Sequence, residues 1–124
     1  MDFRDMVGKR LVKIDGATPS SECVTFRFDD GTAWQSMHMR DCCESVSVHR
    51  VDGNIEELLG KHVTFADETS ESNVDPPGEY NDSWTWTRQR ITAGDARVVI
   101  VWLGESNGYY GETPYLSLAH GELI

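Results

Sequence analysis

Alternation of apolar and polar residues dominates this chain and predicts β-strands. The clearest stretch is CVTFRFDDGTAW, in which Val24, Phe26 and Phe28 fall on one face, as a half-buried strand requires. The DDG that follows is typical of a tight turn, and the return strand is predicted over residues 32–39. These residues therefore predict an antiparallel hairpin.

Further alternating segments recur at intervals of about ten residues. KRLVKID is predicted as a strand with Val12 and Ile14 facing the core, and ESVSVHRV as one with Val46 and Val48 on a shared face. HVTFADE, SWTWTRQRI and TPYLSLAH are predicted as three more strands. ARVVIVWLG is apolar on both faces, which indicates a central strand covered on both sides.

One segment, NIEELLG at residues 54–60, has helical spacing. Ile55, Leu58 and Leu59 stand at i, i+3 and i+4, and Asn54 is suited to cap the first turn. We expect one short helix here. Residues 69–82 are polar and contain a Pro-Pro pair, so they predict a loop.

The fold predicted from these elements is mainly β: a single antiparallel β domain over residues 1–124, built as a curled sheet, sandwich or open barrel of about eight strands. A chain of 124 residues fits one domain with one core. It has no apolar run near the roughly 20 residues that a membrane helix needs, and no apolar signal-peptide core at its start. We expect a soluble, cytoplasmic protein that binds no membrane.

The formal net charge of −10 is concentrated in residues 51–87, which hold nine acids and a single base, Lys61. Such a segment repels nucleic-acid phosphates, so direct nucleic-acid binding is not expected, whereas a basic protein surface would be attracted. The alternative interpretation is that the acids only keep the protein soluble. The candidate partner-binding acids are Glu56, Glu57, Asp67, Glu68, Glu71, Asp75, Glu79 and Asp82.

The stretch HMRDCCESVSVH sets two adjacent cysteines between two acids. A strand starting near Cys42 would place Cys42 and Glu44 on the valine face, where a buried carboxylate needs a partner. The spacing lacks the separated Cys pairs typical of zinc sites, so no cofactor is expected. If the stretch forms a turn instead, a metal site remains the alternative, with ligands drawn from His38, Asp41, Cys42, Cys43 and Glu44.

No catalytic pattern is present in the sequence, and we expect no enzymatic activity. Acids flank Cys42 and Cys43, which disfavours a reactive thiolate. Three cysteines are also too few for a disulfide scaffold.

Two aromatic pairs are candidates for binding. Tyr109 and Tyr110 follow a Ser-Asn-Gly turn, so one should point outward, where it could anchor a protein interface or simply lie on the surface. Trp84 and Trp86 share a strand face, either as a core stripe or as a stacking platform.

Several strings occur in an order that resembles a known family: GKRLVKIDGA, FDDGTAW, DCCESVSVHRVDGNIEELLG, PPGEYNDSWTWT and VWLGESNGYYGE. The resemblance covers about residues 8 to 118. The family consists of small proteins without an established activity, found in bacteriophages and prophages, chiefly of actinobacteria. It implies a phage origin and expression in a bacterial cytoplasm.

These observations lead to the hypothesis of a phage-associated accessory protein that acts by binding another protein. In its concrete form, the protein imitates nucleic acid and inhibits a host defence complex by occupying its basic groove, an anti-CRISPR-like role. Two alternatives stay open: a small zinc-supported domain at residues 38–44, and a structural phage protein that self-assembles into homo-oligomers through Tyr109 and Tyr110.

Overall fold

A computed structural model of the chain describes residues 1–78 and 82–119. Eight antiparallel strands form two four-stranded sheets that pack as a sandwich, which confirms the predicted mainly β fold. The strands are β1 (Leu11–Asp15), β2 (Cys23–Phe28), β3 (Ala33–Met37), β4 (Ser45–Asp52), β5 (Val63–Ser72), β6 (Ser83–Ala93), β7 (Ala96–Ser106) and β8 (Tyr115–Leu118).

The first sheet has the order β1-β2-β3-β8 and the second the order β4-β7-β6-β5. The predicted hairpin is confirmed as β2 and β3, and the doubly apolar segment is confirmed as the central strand β7, paired with both β4 and β6. Each sheet also contains a pairing between strands far apart in sequence, β3 with β8 and β4 with β7.

The core lies between the two sheets and is filled by their inward faces. Phe26 of β2 and Trp102 of β7 are both fully buried, and the ring of Phe3 packs edge-on against Phe26 at 5.7 Å. Burial of such large side chains is the main favourable term in folding. The predicted inward positions of Val24, Phe26, Phe28, Val46 and Val48 are confirmed by their burial.

Val12 does not face the core as predicted, because it is 46% exposed. A β-bulge between Leu11 and Lys13 shifts the pairing of β1 with β2, so Leu11 takes the fully buried position. A bulge inserts one residue and reverses the alternation that follows. Alternation within one strand cannot reveal where such an insertion falls.

The predicted helix at residues 54–60 is a single 3-10 turn at Ile55–Leu58. Asn54 caps it as predicted, accepting a hydrogen bond from the amide of Glu56. A second 3-10 turn, Phe3–Met6, was not predicted. Across the described residues there is no α-helix, and no helix long and apolar enough to cross a membrane.

The predicted polar loop at residues 69–82 is shorter than expected, because β5 continues to Ser72. The hydroxyl of Ser72 bonds that of Thr85 at 2.8 Å, and Ser70 bonds Thr87 in the same way. These cross-strand pairs explain why a polar sequence extends the sheet.

Four of the connections between strands lie at one end of the sandwich, while the 53–62 connection with its 3-10 turn lies at the other. Met37 at the end of β3 pairs with Tyr115 at the start of β8, and Ser83 at the start of β6 pairs with Ser106 at the end of β7. We call this the loop end: residues 16–22, 38–44, 73–78, Asp82 and 107–114. The opposite end carries tight turns, including those at Gly31 and Gly94.

Candidate partner-binding site at the loop end

Glu44 lies just before β4 on the same inward face as Val46 and Val48, and it is completely buried. Its carboxylate accepts hydrogen bonds from the amides of Asp41 and Cys42, both at 2.9 Å. The ring Nε2 of His38 lies 2.8 Å from Glu44 Oε2. The partner that a buried carboxylate requires is therefore supplied by the turn itself.

These contacts favour the ionised form of Glu44. The backbone amide of Asp41, followed by the amide of Cys42 and the His38 ring, lowers the pKa of Glu44 from 4.5 to about 2, against the opposing effect of burial. Residues 41–44 thus wrap around a fixed negative charge.

His38 fastens this turn to the 107–114 loop. Its Nδ1 lies 3.1 Å from the carbonyl oxygen of Thr113, and its ring stacks on Tyr115 with centroids 5.6 Å apart. Both ring nitrogens therefore have an oxygen neighbour within hydrogen-bonding distance. The His38–Glu44 pair thus connects the 38–44 turn to the 107–114 loop.

Cys42 and Cys43 are joined to each other by a disulfide bond, which the sequence did not predict. The prediction that Cys42 shares the valine face is wrong: β4 begins only at Ser45, and both cysteines are exposed on the preceding turn. The third cysteine, Cys23, is a free thiol in β2.

The alternative metal site is not assembled. His38 Nε2 forms a hydrogen bond with Glu44. The sulfur atoms of Cys42 and Cys43 are joined covalently in the disulfide, so neither is a free thiolate that could bind zinc. Over residues 1–78 and 82–119, no three His, Cys, Asp or Glu side chains converge to hold a metal ion.

A second buried acid, Glu112, holds the 107–114 loop from the other side. Its two carboxylate oxygens accept hydrogen bonds from the hydroxyls of Thr85 and Ser106. Its backbone lies directly on Gly104, where a Cβ would overlap the carbonyl oxygen of Glu112. Sequence reasoning did not identify this anchor, although a glycine inside an apolar strand is a signal of close backbone approach.

The 73–78 segment is fastened by the tryptophan pair. The Trp84 indole donates to the Val74 carbonyl at 2.7 Å, and the Trp86 indole donates to the Val74 and Asp75 carbonyls, each at 3.0 Å. Trp86 is only 7% exposed and contacts the His49 ring edge-on. Trp86 is therefore covered by the 73–78 segment on the face of β6 that also carries Arg90, outside the core cluster. The pair is thus neither an open stacking platform nor a core stripe.

On these fastened loops the structure exposes aromatic and apolar side chains. Tyr109 is 87% exposed and Met39 73% exposed, while Tyr110 is partly covered. The prediction that one tyrosine of the pair points outward is confirmed for Tyr109.

Beside Tyr109 lies a polar cleft of about 410 Å³, which we call the acidic cleft. The Tyr109 amide is bonded to the side chain of Asn107, a residue of the cleft wall. Two acidic side chains, those of Asp82 and Glu105, belong to the cleft wall. Its lining residues are Cys43, Ser45, Asp82, Ser83, Glu105, Ser106 and Asn107.

The candidate acids of residues 51–87 lie in several places. Glu56 and Glu57 are on the 3-10 turn, away from the loop end. Asp67 faces outward and binds Arg90 through two hydrogen bonds, whereas Glu68 points inward and accepts from Gln89. Neighbouring positions on a strand point to opposite faces, so these acids do not form one surface.

The remaining candidates lie nearer the loop end. Glu71 is on β5 opposite Trp86, and Asp75 and Asp82 belong to the loop end together with Tyr109 and Tyr110. Glu79 lies outside the described residues. Partner binding by these residues stays a prediction.

Residues 4–116 match the model of a family described as a domain of unknown function, DUF7448. The chain belongs to this family. The match confirms that the sequence is that of a recurring domain of unestablished activity, and nothing in it links the domain to bacteriophages. No curated protein and no solved structure matches the chain.

Proposed function

We propose that this DUF7448 chain is a non-enzymatic binding domain that recognises a basic protein surface with its loop end. The observation that carries the proposal is that the acidic cleft, with Asp82 and Glu105 in its wall, adjoins the loop that exposes Tyr109. Tyrosine is one of the residue types enriched in the hot spots of protein interfaces.

The loops that present these groups are held in place before any partner arrives. Glu44, Glu112 and the two tryptophan indoles tie the 38–44, 107–114 and 73–78 segments to the sandwich. A binding surface that is already ordered loses less conformational entropy on association, so more of its contact energy appears as affinity.

The chemistry of the cleft selects the partner. A lysine or arginine side chain entering the acidic cleft would meet the Asp82 carboxylate, while its apolar stem could lie along Tyr109. The net charge of −10 adds long-range attraction, which raises the association rate at low salt.

This proposal includes the biological setting that the resemblance implies. The protein would be a phage-associated accessory protein in the bacterial cytoplasm, and its partner a basic, nucleic-acid-binding host protein such as a component of a defence complex. The part imitating nucleic acid would be the loop end, supported by its carboxylates, and not the whole of residues 51–87.

The test is affinity capture from an actinobacterial lysate with the immobilised full chain, followed by binding measurements on the purified captured protein. We expect a basic protein that is released at high salt. Two double variants carry the same charge change: Asp75→Asn with Asp82→Asn at the loop end, and Glu56→Gln with Glu57→Gln at the opposite end.

The loop-end variant should bind about tenfold or more weakly, and Tyr109→Ala likewise, since each removes a central contact. The Glu56, Glu57 variant should keep wild-type affinity. Equal losses in both double variants would mean that the partner responds to overall charge alone, and unchanged binding in all variants would place the interface elsewhere.

A further inference from the structure

The outer face of the second sheet, which points away from the core, carries a different kind of cleft. Pairing of β5, β6 and β7 brings Phe65, Thr92 and Arg97 into one row and Asp67, Arg90 and Val99 into the next. A cleft of about 370 Å³ opens there, and we call it the arginine cleft. It is lined by Phe65, Arg90, Ile91, Thr92, Arg97, Val98 and Val99.

One of its two guanidinium groups is fixed in position. Arg90 donates through Nε and Nη2 to the two carboxylate oxygens of Asp67, at 2.8 and 2.7 Å. This paired geometry holds the guanidinium plane and leaves the Nη1 hydrogens free to donate to another acceptor.

The other guanidinium, that of Arg97, has no acidic partner among residues 1–78 and 82–119. Arg97 is exposed, and in the described part of the chain no carboxylate forms an ion pair with it. A guanidinium without an ion pair to the described residues, in the wall of a cleft that also holds an oriented arginine, is suited to bind an anion.

The rest of the lining is apolar. Phe65 of β5 is 48% exposed although its side chain is large and apolar, and Val99 of β7, in the next row, is partly exposed. A phenyl ring and an isopropyl group give a flat ligand a surface to lie on, while the Thr92 hydroxyl adds a polar contact. The size is within the lower part of the range for small-molecule sites, about 300–1,000 Å³.

We propose that the arginine cleft binds a small organic anion: a carboxylate carried on a flat apolar body. The carboxylate would bind Arg97 and the free edge of Arg90, and the apolar body would lie against Phe65 and Val99. This site is on another surface from the acidic cleft, and the proposal does not depend on the function assigned to the loop end.

The overall charge favours a small ligand over a macromolecular one. A nucleic acid or an acidic protein would bring many negative charges close to a chain of net charge −10. A small anion meets mainly the local charges, which are the two guanidinium groups and the Asp67 carboxylate bound to Arg90, since charges beyond about 8 Å are largely screened at physiological salt.

The test is a titration of the ¹⁵N-labelled full chain, followed by amide chemical shifts, with three probes: benzoate, inorganic phosphate and benzyl alcohol. Benzoate has both the charge and the apolar ring, and each of the others has only one of them. We expect benzoate at millimolar concentrations to shift the amides of Phe65, Thr92, Arg97 and Val99 along a saturating curve. The other two probes should bind about tenfold more weakly or not at all.

Arg97→Gln should weaken benzoate binding about tenfold, because it removes the charge-assisted hydrogen bonds from an exposed position that the fold does not need. Arg88→Gln is the matched control: Arg88 lies two residues before Arg90 on the same face of β6, outside the cleft, and its loss should leave benzoate binding unchanged. The proposal is overturned if phosphate binds as well as benzoate, if both variants lose binding equally, or if no cleft amide shifts.

Discussion

Glu44 Oε2 lies 2.8 Å from His38 Nε2, so a buried carboxylate next to β4 of one sheet meets an imidazole next to β3 of the other. This contact, together with the two amides donated by Asp41 and Cys42, closes the 38–44 turn. Because the turn links the two sheets, Glu44 influences both the stability of the sandwich and the shape of the loop end.

Glu44→Gln should lower stability in a way that depends on pH. Because the folded protein holds the pKa of Glu44 at about 2, below its ordinary 4.5, the carboxylate stabilises the fold fully above pH 4.5. That contribution is lost as the pH falls from 4.5 to about 2. Urea unfolding of both proteins should show a stability difference that is constant near neutral pH and narrows in acid.

Glu57→Gln is the control for this series, since Glu57 is exposed on the 3-10 turn and should give a profile parallel to wild type. A Glu44→Gln difference that is the same at pH 2 and pH 7 would contradict the role assigned to the charged carboxylate.

Glu68→Gln should raise stability near neutral pH, whereas Glu44→Gln lowers it. Burial of the carboxyl raises the pKa of Glu68 although the residue as a whole is exposed, and the Gln89 amide opposes this in part. Because the folded protein favours the protonated carboxyl, the fold loses stability as the pH rises through the raised pKa of Glu68. The neutral glutamine, which can still accept from Gln89, should raise the melting temperature at neutral pH, and this gain should disappear in acid.

Gly104→Ala should destabilise the protein by about 2–3 kcal/mol, the usual cost of forcing a group into filled space. The added Cβ would lie 2.6 Å from the carbonyl carbon of Glu112, and backbone cannot move aside as a flexible side chain can. Chemical denaturation measures the loss, and the amide shifts of residues 107–114 should change with it.

Gly108→Ala is the control, because at this position an added Cβ would strain the backbone without overlapping any neighbouring atom. Gly108 has φ of +96° but nothing within 4 Å of its added Cβ, so alanine should cost only about 1 kcal/mol. Equal costs for the two substitutions would argue against the close contact at Gly104.

Gln89→Leu should cost about 2 kcal/mol, because it leaves buried polar groups without partners. Gln89 accepts from the Trp102 indole at 2.9 Å and donates to the Ser36 hydroxyl at 2.8 Å, which joins the two sheets through the core. In a double-mutant cycle with Trp102→Phe, the two changes should couple by about 1 kcal/mol. Additive effects would mean that this hydrogen bond adds nothing to stability.

Local pattern was sufficient for most of the strands, since alternation at Val24, Phe26 and Phe28 follows directly from strand geometry. It failed at Val12, where a bulge depends on the partner strand, and at Ser70 and Ser72, where hydroxyls on β6 extend the sheet. The short helix became a 3-10 turn because four residues leave little room for i+4 hydrogen bonds.

The candidate site was harder to predict from sequence. The need of Glu44 for a partner was predicted from its position, but not the identity of that partner, since His38 reaches it through a turn. The separation of Asp67 from Glu68 follows from strand alternation once β5 is known to extend past them. Which loops gather beside Tyr109 depends on pairings between distant strands, which no local pattern contains.

Those distant pairings also determine at what stage of folding the loop end forms. The links between the 38–44 turn and the 107–114 loop form only once β8 has joined β3, because His38 contacts Thr113 and stacks on Tyr115. Contacts of such large sequence separation form slowly, so hairpins such as β2–β3 can precede them by a wide margin. A partner that recognises the assembled loops would thus distinguish mature molecules from partly folded ones, and its binding would serve as a reporter of completed folding.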